Sequence, residues 1–123
     1  MTPEPEVRAT RYEVSCVSED HPDAPVWTIT VEYRGNDRWA VLERGAYLDD
    51  DGNRSWGSNW ENGREPVTDE ELAACRKAHE EWLNAHRFDL ETALDIARKR
   101  APQMTIGRVT VQQVLADSTE AGQ

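Results

Sequence analysis

Cys75, His79, Trp82 and His86 stand at i, i+4, i+7 and i+11, so on a helix they share one face. Thiolate and imidazole ligands one turn apart can hold zinc, and Cys16 offers a fourth ligand from a strand. Leu72 and Leu83 fall on the same face, however, and cysteine is among the most buried residue types. A core-facing stripe is the better account of this spacing. It predicts a protein without metal or cofactor, with Cys75 and His79 in or beside the core. His79-Glu80-Glu81-Trp82-Leu83 opens like a zinc-protease helix but carries Leu83 where the second imidazole must stand. Asp49-Asp50-Asp51-Gly52-Asn53 resembles a calcium loop with its glycine two positions early, and Trp60 replaces the bidentate glutamate. A hairpin turn fits that stretch better. No G-x-G, P-loop or G-x-S-x-G pattern occurs, which removes the commonest phosphate cradle and nucleophile elbow. No catalytic residues are expected.

Two tryptophans carry a different signal. Trp56 and Trp60 flank Gly57-Ser58-Asn59 in a polar segment, close after Asp49, Asp50 and Asp51. Aromatic side chains dominate interface hot spots. Trp56, Trp60, Asp49, Asp50 and Asp51 are therefore the expected partner-binding residues, gathered at one end of a sheet. The basic run Arg98-Lys99-Arg100 is explained by the preference of cations for a helix C-terminus.

The elements that must position these residues follow from periodicity. Tyr12, Val14 and Cys16 alternate with polar neighbours as a half-buried strand. Trp27, Ile29, Val31 and Tyr33 take one face of the clearest strand, with Thr28 and Thr30 opposite. Gly35-Asn36-Asp37 turns the chain into a third strand over Arg38 to Leu48, with a bulge at Gly45. Asp50-Asp51-Gly52-Asn53 leads to a short fourth strand near Arg54–Trp56. Thr68 and Glu71 form a capping box for a helix over 69–85, and Asp89 caps a second helix stopped at Ala101-Pro102. Thr110 and Gln113 cap a short C-terminal helix ending near Ala116. The expected architecture is α+β: an antiparallel meander of about four strands packed on one face by two helices, beneath Leu83, Leu90 and Leu94. Residues 1–10 read as a flexible N-terminus, 11–116 as the single domain and 117–123 as a flexible tail.

At 123 residues, with 37% hydrophobic and 31% charged residues, the chain can bury one real core under a very polar surface. Its 24 acidic and 14 basic residues give a net charge of −10, which disfavours direct binding to nucleic acid. The acidic residues are spread along both halves, as expected of a solubilising surface. The N-terminal residues lack the basic and apolar regions of a signal peptide, and no apolar run is long enough to span a membrane. A cytoplasmic protein with two reduced cysteines is expected.

Arg38-Trp39-Ala40-Val41, Leu48 to Gly52 with Trp56, Glu81-Trp82-Leu83, and His86 to Leu90 with Ala93-Leu94 resemble a family of small uncharacterised proteins of actinobacterial phages. The likeness runs on through Ala101-Pro102, Thr105-Ile106-Gly107 and Val114-Leu115, covering most of the chain from Tyr12. It departs at Asn62 to His79, which is longer here. The family carries no assigned activity, so the resemblance implies a phage or prophage origin and a host bacterial cytoplasm, with little about mechanism. Together these observations predict a non-catalytic accessory protein that binds a host or phage protein and leaves the oligomeric state open. The alternatives are an acidic nucleic-acid mimic that inhibits a host DNA- or RNA-binding protein, and a zinc-binding protein using Cys75, His79 and His86.

Overall fold

Period-two alternation puts Ile29 and Val31 on one side of a strand, and both are fully buried in the computed structural model of the chain, which describes residues 2–56 and 65–121. Thr28 and Thr30 are only half-buried, so the expected register is the observed one. The strands are β1 (Arg11–Val14), β2 (Ile29–Tyr33), β3 (Trp39–Glu43), β4 (Ala46–Leu48) and β5 (Arg54–Ser55), joined in that order as one antiparallel meander. The stretch from Arg38 to Leu48 yields two strands because Arg44 and Gly45 both take positive φ (52° and 85°). Two successive left-handed residues make a tight hairpin turn, so Gly45 is a turn residue and not a bulge. Trp27 lies just before β2, in a 3-10 turn over Ala24–Trp27 that Pro25 favours, and its side chain is still buried.

Helix α1 (Asp69–Ala85) begins at Thr68, whose hydroxyl accepts from the Glu71 amide at 3.1 Å. Helix α2 (Leu90–Arg100) begins at Asp89, whose carboxylate accepts from the Thr92 amide at 3.2 Å and its hydroxyl at 2.6 Å. After a hairpin of β6 (Thr105–Ile106) and β7 (Val109–Thr110), α3 runs over Val111–Ala121, about a turn beyond the expected end near Ala116. Its reciprocal capping box is formed: the Gln113 amide donates to Thr110 Oγ1, and the Thr110 amide to Gln113 Oε1. No helix among the described residues is long and apolar enough to cross a membrane.

The core is a cluster in which Val17, Trp27, Ile29, Val31, Val41 and Leu48 join Ala93, Ile96 and Ala97 of α2 and Met104, Val111 and Val114. Register places Val31 opposite Val41, and Glu43 opposite both Ile29 and Ala46, so these share the face that α2 covers. Tyr47 and Ser55 pair with each other and alternate to the second face. Trp82 of α1 meets both, its ring edge-on to Tyr47 at 5.0 Å and its Nε1–H donating to Ser55 Oγ at 3.0 Å. The expected α+β meander is thus observed, with α2 and the start of α3 contributing to the one core, while Trp82 near the end of α1 meets the second face. Leu83 is accordingly outside the core cluster, while Leu90 and Leu94 pack against it.

The crossing between faces has a visible cause. β4 pairs only with the last two residues of β3, Leu42 and Glu43. The backbone edge at Trp39 is left for Phe88, and the two exchange N–H···O bonds of 2.7 and 2.9 Å. Backbone groups of a buried edge need partners, and the α1–α2 connection supplies them as it passes through.

Candidate functional site

The stripe on α1 becomes an aromatic stack. The ring of His86 lies on Trp82 at 4.2 Å and 24°, and His79 follows on the same tryptophan at 6.2 Å and 10°. His86 is buried, and its Nδ1–H donates to the Trp82 carbonyl at 2.6 Å, which fixes the tautomer. Cys75 is half-buried and His79 exposed, with no fully buried residue on α1, so the expectation that both lie in or beside a core is not met for His79. The half-buried face of α1 runs through Ala74, Cys75, Ala78, Trp82 and Leu83, and His79 falls outside it. Cys75, His79 and His86 do not converge as a ligand set. Among the described residues, the one trio of His, Cys, Asp or Glu whose ligand atoms lie within 4.8 Å of one another is Asp49, Asp50 and Asp51.

That trio is the turn between β4 and β5. Asp49 Oδ1 accepts from the amides of Asp51 and Asn53, both at 2.9 Å, and the Gly52 amide donates to the Asp49 carbonyl at 3.0 Å. A short carboxylate that reaches its own backbone two and four residues on mimics a turn, and Gly52 supplies the positive φ of 82° that closes it. Asp50 and Asp51 project outward, exposed.

Trp56 follows β5 and is 71% exposed. It is not loose. The Arg54 guanidinium stands 5.6 Å from its ring centroid, within cation–π range. A Cβ placed on Gly45 would come 3.4 Å from the ring, so the absence of a side chain there lets the indole lie close to the β3–β4 turn. Because β4 and β5 are antiparallel, Trp56 and the aspartate turn occupy opposite ends of a ladder about 10 Å long. The expected clustering at one end is therefore replaced by a strip along one edge of the sheet. Trp60, the second expected aromatic, lies outside the described residues.

What joins the two ends was missed by sequence reasoning. Glu43, with a side chain 4% exposed, sits on the core-facing side of β3 between two arginines. Its carboxylate takes Nε and Nη2 of Arg100 at 2.7 and 3.2 Å and Nε of Arg54 at 3.1 Å. Arg100 therefore does more than complement the α2 dipole. It neutralises a buried carboxylate and lines a cleft of about 180 Å³ with Asp50, Asp51, Ile96, Lys99 and Gln103. Arg54, on the other flank of Glu43, is the arginine that meets Trp56. The signal was present in β3: Trp39, Val41 and Glu43 share parity, and a carboxylate in an apolar register requires a cation. Periodicity cannot say which of fourteen cations answers it.

Comparison of the chain with protein-family models, with curated proteins and with solved structures found no match.

Proposed function

We propose that this protein is a non-catalytic binding protein that engages a protein partner along the strip from Trp56 to the Asp49–Asp51 turn. The observation that carries this reading is Trp56, a large aromatic side chain 71% exposed yet close to both Arg54 and the Gly45 turn. An anchor that already makes intramolecular contacts loses less conformational freedom on association, which favours affinity. The ionisable groups around it support binding over chemistry, because they are committed to structure: Glu43 to its two arginines, and Asp49 to turn amides. The complementary partner surface carries an apolar pocket for the indole beside cations that face Asp50 and Asp51. The sequence resemblance to actinobacterial phage proteins supports a phage accessory protein acting on a host or phage protein.

The test is capture from an actinobacterial host lysate by the wild-type chain and by Trp56→Ala, followed by titration of the captured species. A buried aromatic anchor is worth about 2 kcal/mol or more, so Trp56→Ala should weaken binding by roughly thirtyfold while leaving the circular dichroism unchanged. Asp50→Asn should act mainly on the association rate. Unchanged affinity in Trp56→Ala would place the interface elsewhere, and loss of the fold would make Trp56 a structural residue.

A further inference from the structure

The opposite edge of the sheet carries a second set of observations. β1 is the terminal strand of the meander, and among the described residues no strand pairs with its outer side. The Tyr33 amide donates to the Thr10 carbonyl at 2.9 Å, and Arg11 stands opposite Glu32. Antiparallel ladders alternate, so Thr10, Tyr12 and Val14 turn their backbone groups toward β2, while those of Arg11 and Glu13 point outward. An outward row of amides and carbonyls is a template for another strand.

From this geometry we infer that a second copy of the chain docks there, β1 against β1 in antiparallel register about Tyr12. Three features select that partner and register. Backbone bonding needs outward residues to face outward residues, which permits Arg11 opposite Arg11, Glu13 opposite Glu13, or Arg11 opposite Glu13. Only the last places unlike charges across the junction at both pairs, and it puts a two-fold axis through Tyr12. Arg11 and Glu13 already meet within one strand at 3.4 Å with both side chains more than half exposed, so two copies complete a quartet of alternating charge. Tyr12 is 36% exposed and lies against Trp39 at 5.6 Å. In this register it faces its own symmetry mate at a non-hydrogen-bonded position, where cross-strand side chains approach most closely. The meander then continues as one sheet through both copies.

A four-residue edge offers a small interface, of the weak and reversible class. Sedimentation equilibrium in about 0.15 M salt screens the net repulsion between two chains of charge −10 while leaving directly opposed charges in contact. Over a concentration series reaching about 1 mM, the wild type should form a reversible dimer. Arg11→Glu and Glu13→Arg should each weaken it by roughly tenfold or more, because each turns both cross-strand pairs into like charges. The double variant should recover the wild-type association, and an equimolar mixture of the single variants should give a heterodimer. Circular dichroism of each variant controls for folding at these exposed positions. A wild type that stays monomeric through the series overturns the inference. So does a dimer indifferent to both reversals, or a double variant as dissociated as the single ones.

Discussion

Removing Arg100 should expose how the buried charge at Glu43 is held. Its carboxylate is 4% exposed, and Arg100 supplies two of its three arginine contacts, at 2.7 and 3.2 Å. Stripping one partner from a buried ion pair costs about 3–5 kcal/mol, because the remaining charge is left desolvated and unmatched. Arg54 stays at 3.1 Å and offsets part of that loss, which puts Arg100→Ala near 3 kcal/mol. Against a total stability of roughly 5–15 kcal/mol for a domain, that is a large fraction. Arg54→Ala removes one contact from a side chain 35% exposed, so it should cost only about 1 kcal/mol. Glu43→Leu combined with Arg100→Leu removes the buried charge together with its main partner. Since apolar replacement of buried pairs is often neutral, the double variant should return to within about 1 kcal/mol of the wild type. Urea unfolding followed by tryptophan fluorescence and by circular dichroism gives each free energy, and five tryptophans provide the signal. A loss below about 1 kcal/mol for Arg100→Ala would refute the reasoning. The same holds if Arg54→Ala proves the costlier change, or if the double leucine variant is no more stable than Arg100→Ala.

Gly45→Ala forces a side chain onto φ of 85° and brings a methyl to 3.4 Å from the Trp56 ring. It should cost about 1–2 kcal/mol in urea unfolding and shift the Trp56 emission. Trp82→Ala removes the contacts with Tyr47, Ser55 and His86, so amide exchange should accelerate along α1 while β2, β3 and α2 keep their protection; uniform acceleration would show α1 to be part of the main folding unit. The Asp89 carboxyl is held below its ordinary value, first by the Thr92 hydroxyl and then by the Thr92 amide. A depressed folded-state pKa gives stability that is complete above the ordinary carboxylate range and lost as pH falls through the folded value. The difference in Tm between wild type and Asp89→Ala should therefore be constant near neutrality and shrink in acid. A difference that grows on acidification would reverse the assigned sign.

Local signals in the sequence were legible wherever one short segment decides the outcome. Ile29 and Val31 revealed their face by alternation, and Thr68, Asp89 and Thr110 announced helix starts because a cap is written within four residues. The turn at Arg44-Gly45 looks like a bulge in the sequence, because Arg44 gives no warning of a positive φ and the strand pattern runs smoothly through it. Long-range choices were harder. Both helices carry one apolar stripe, and periodicity does not say which face of the sheet each will cover. That depended on β4 being short enough to leave the Trp39 edge for Phe88. For the candidate site, the exposed Trp56 and the aspartate turn were visible as residue types in a polar segment. The Arg54–Glu43–Arg100 link joins residues as far as 57 positions apart, a pairing that only the folded chain displays.

The two edges of this sheet differ in a way that bears on how the protein would act. β5 ends in the Trp56 corner, and β1, four strand spacings away, lies about 19 Å off in the hydrogen-bonding direction. Pairing through β1 leaves both Trp56 corners at the outer ends of the joined sheet. A dimer of that form presents two identical anchors, and a partner with two copies of the complementary pocket would meet the second at a high effective concentration. Arg11→Glu should then lower apparent affinity for such a bivalent partner while leaving binding to a single isolated copy of the pocket unchanged. Trp56→Ala should weaken both, and the bivalent binding more steeply because the anchor is lost at two sites, while leaving the dimer intact. These different patterns separate the contribution of self-association from that of the binding corner, even though both are built on one five-stranded sheet.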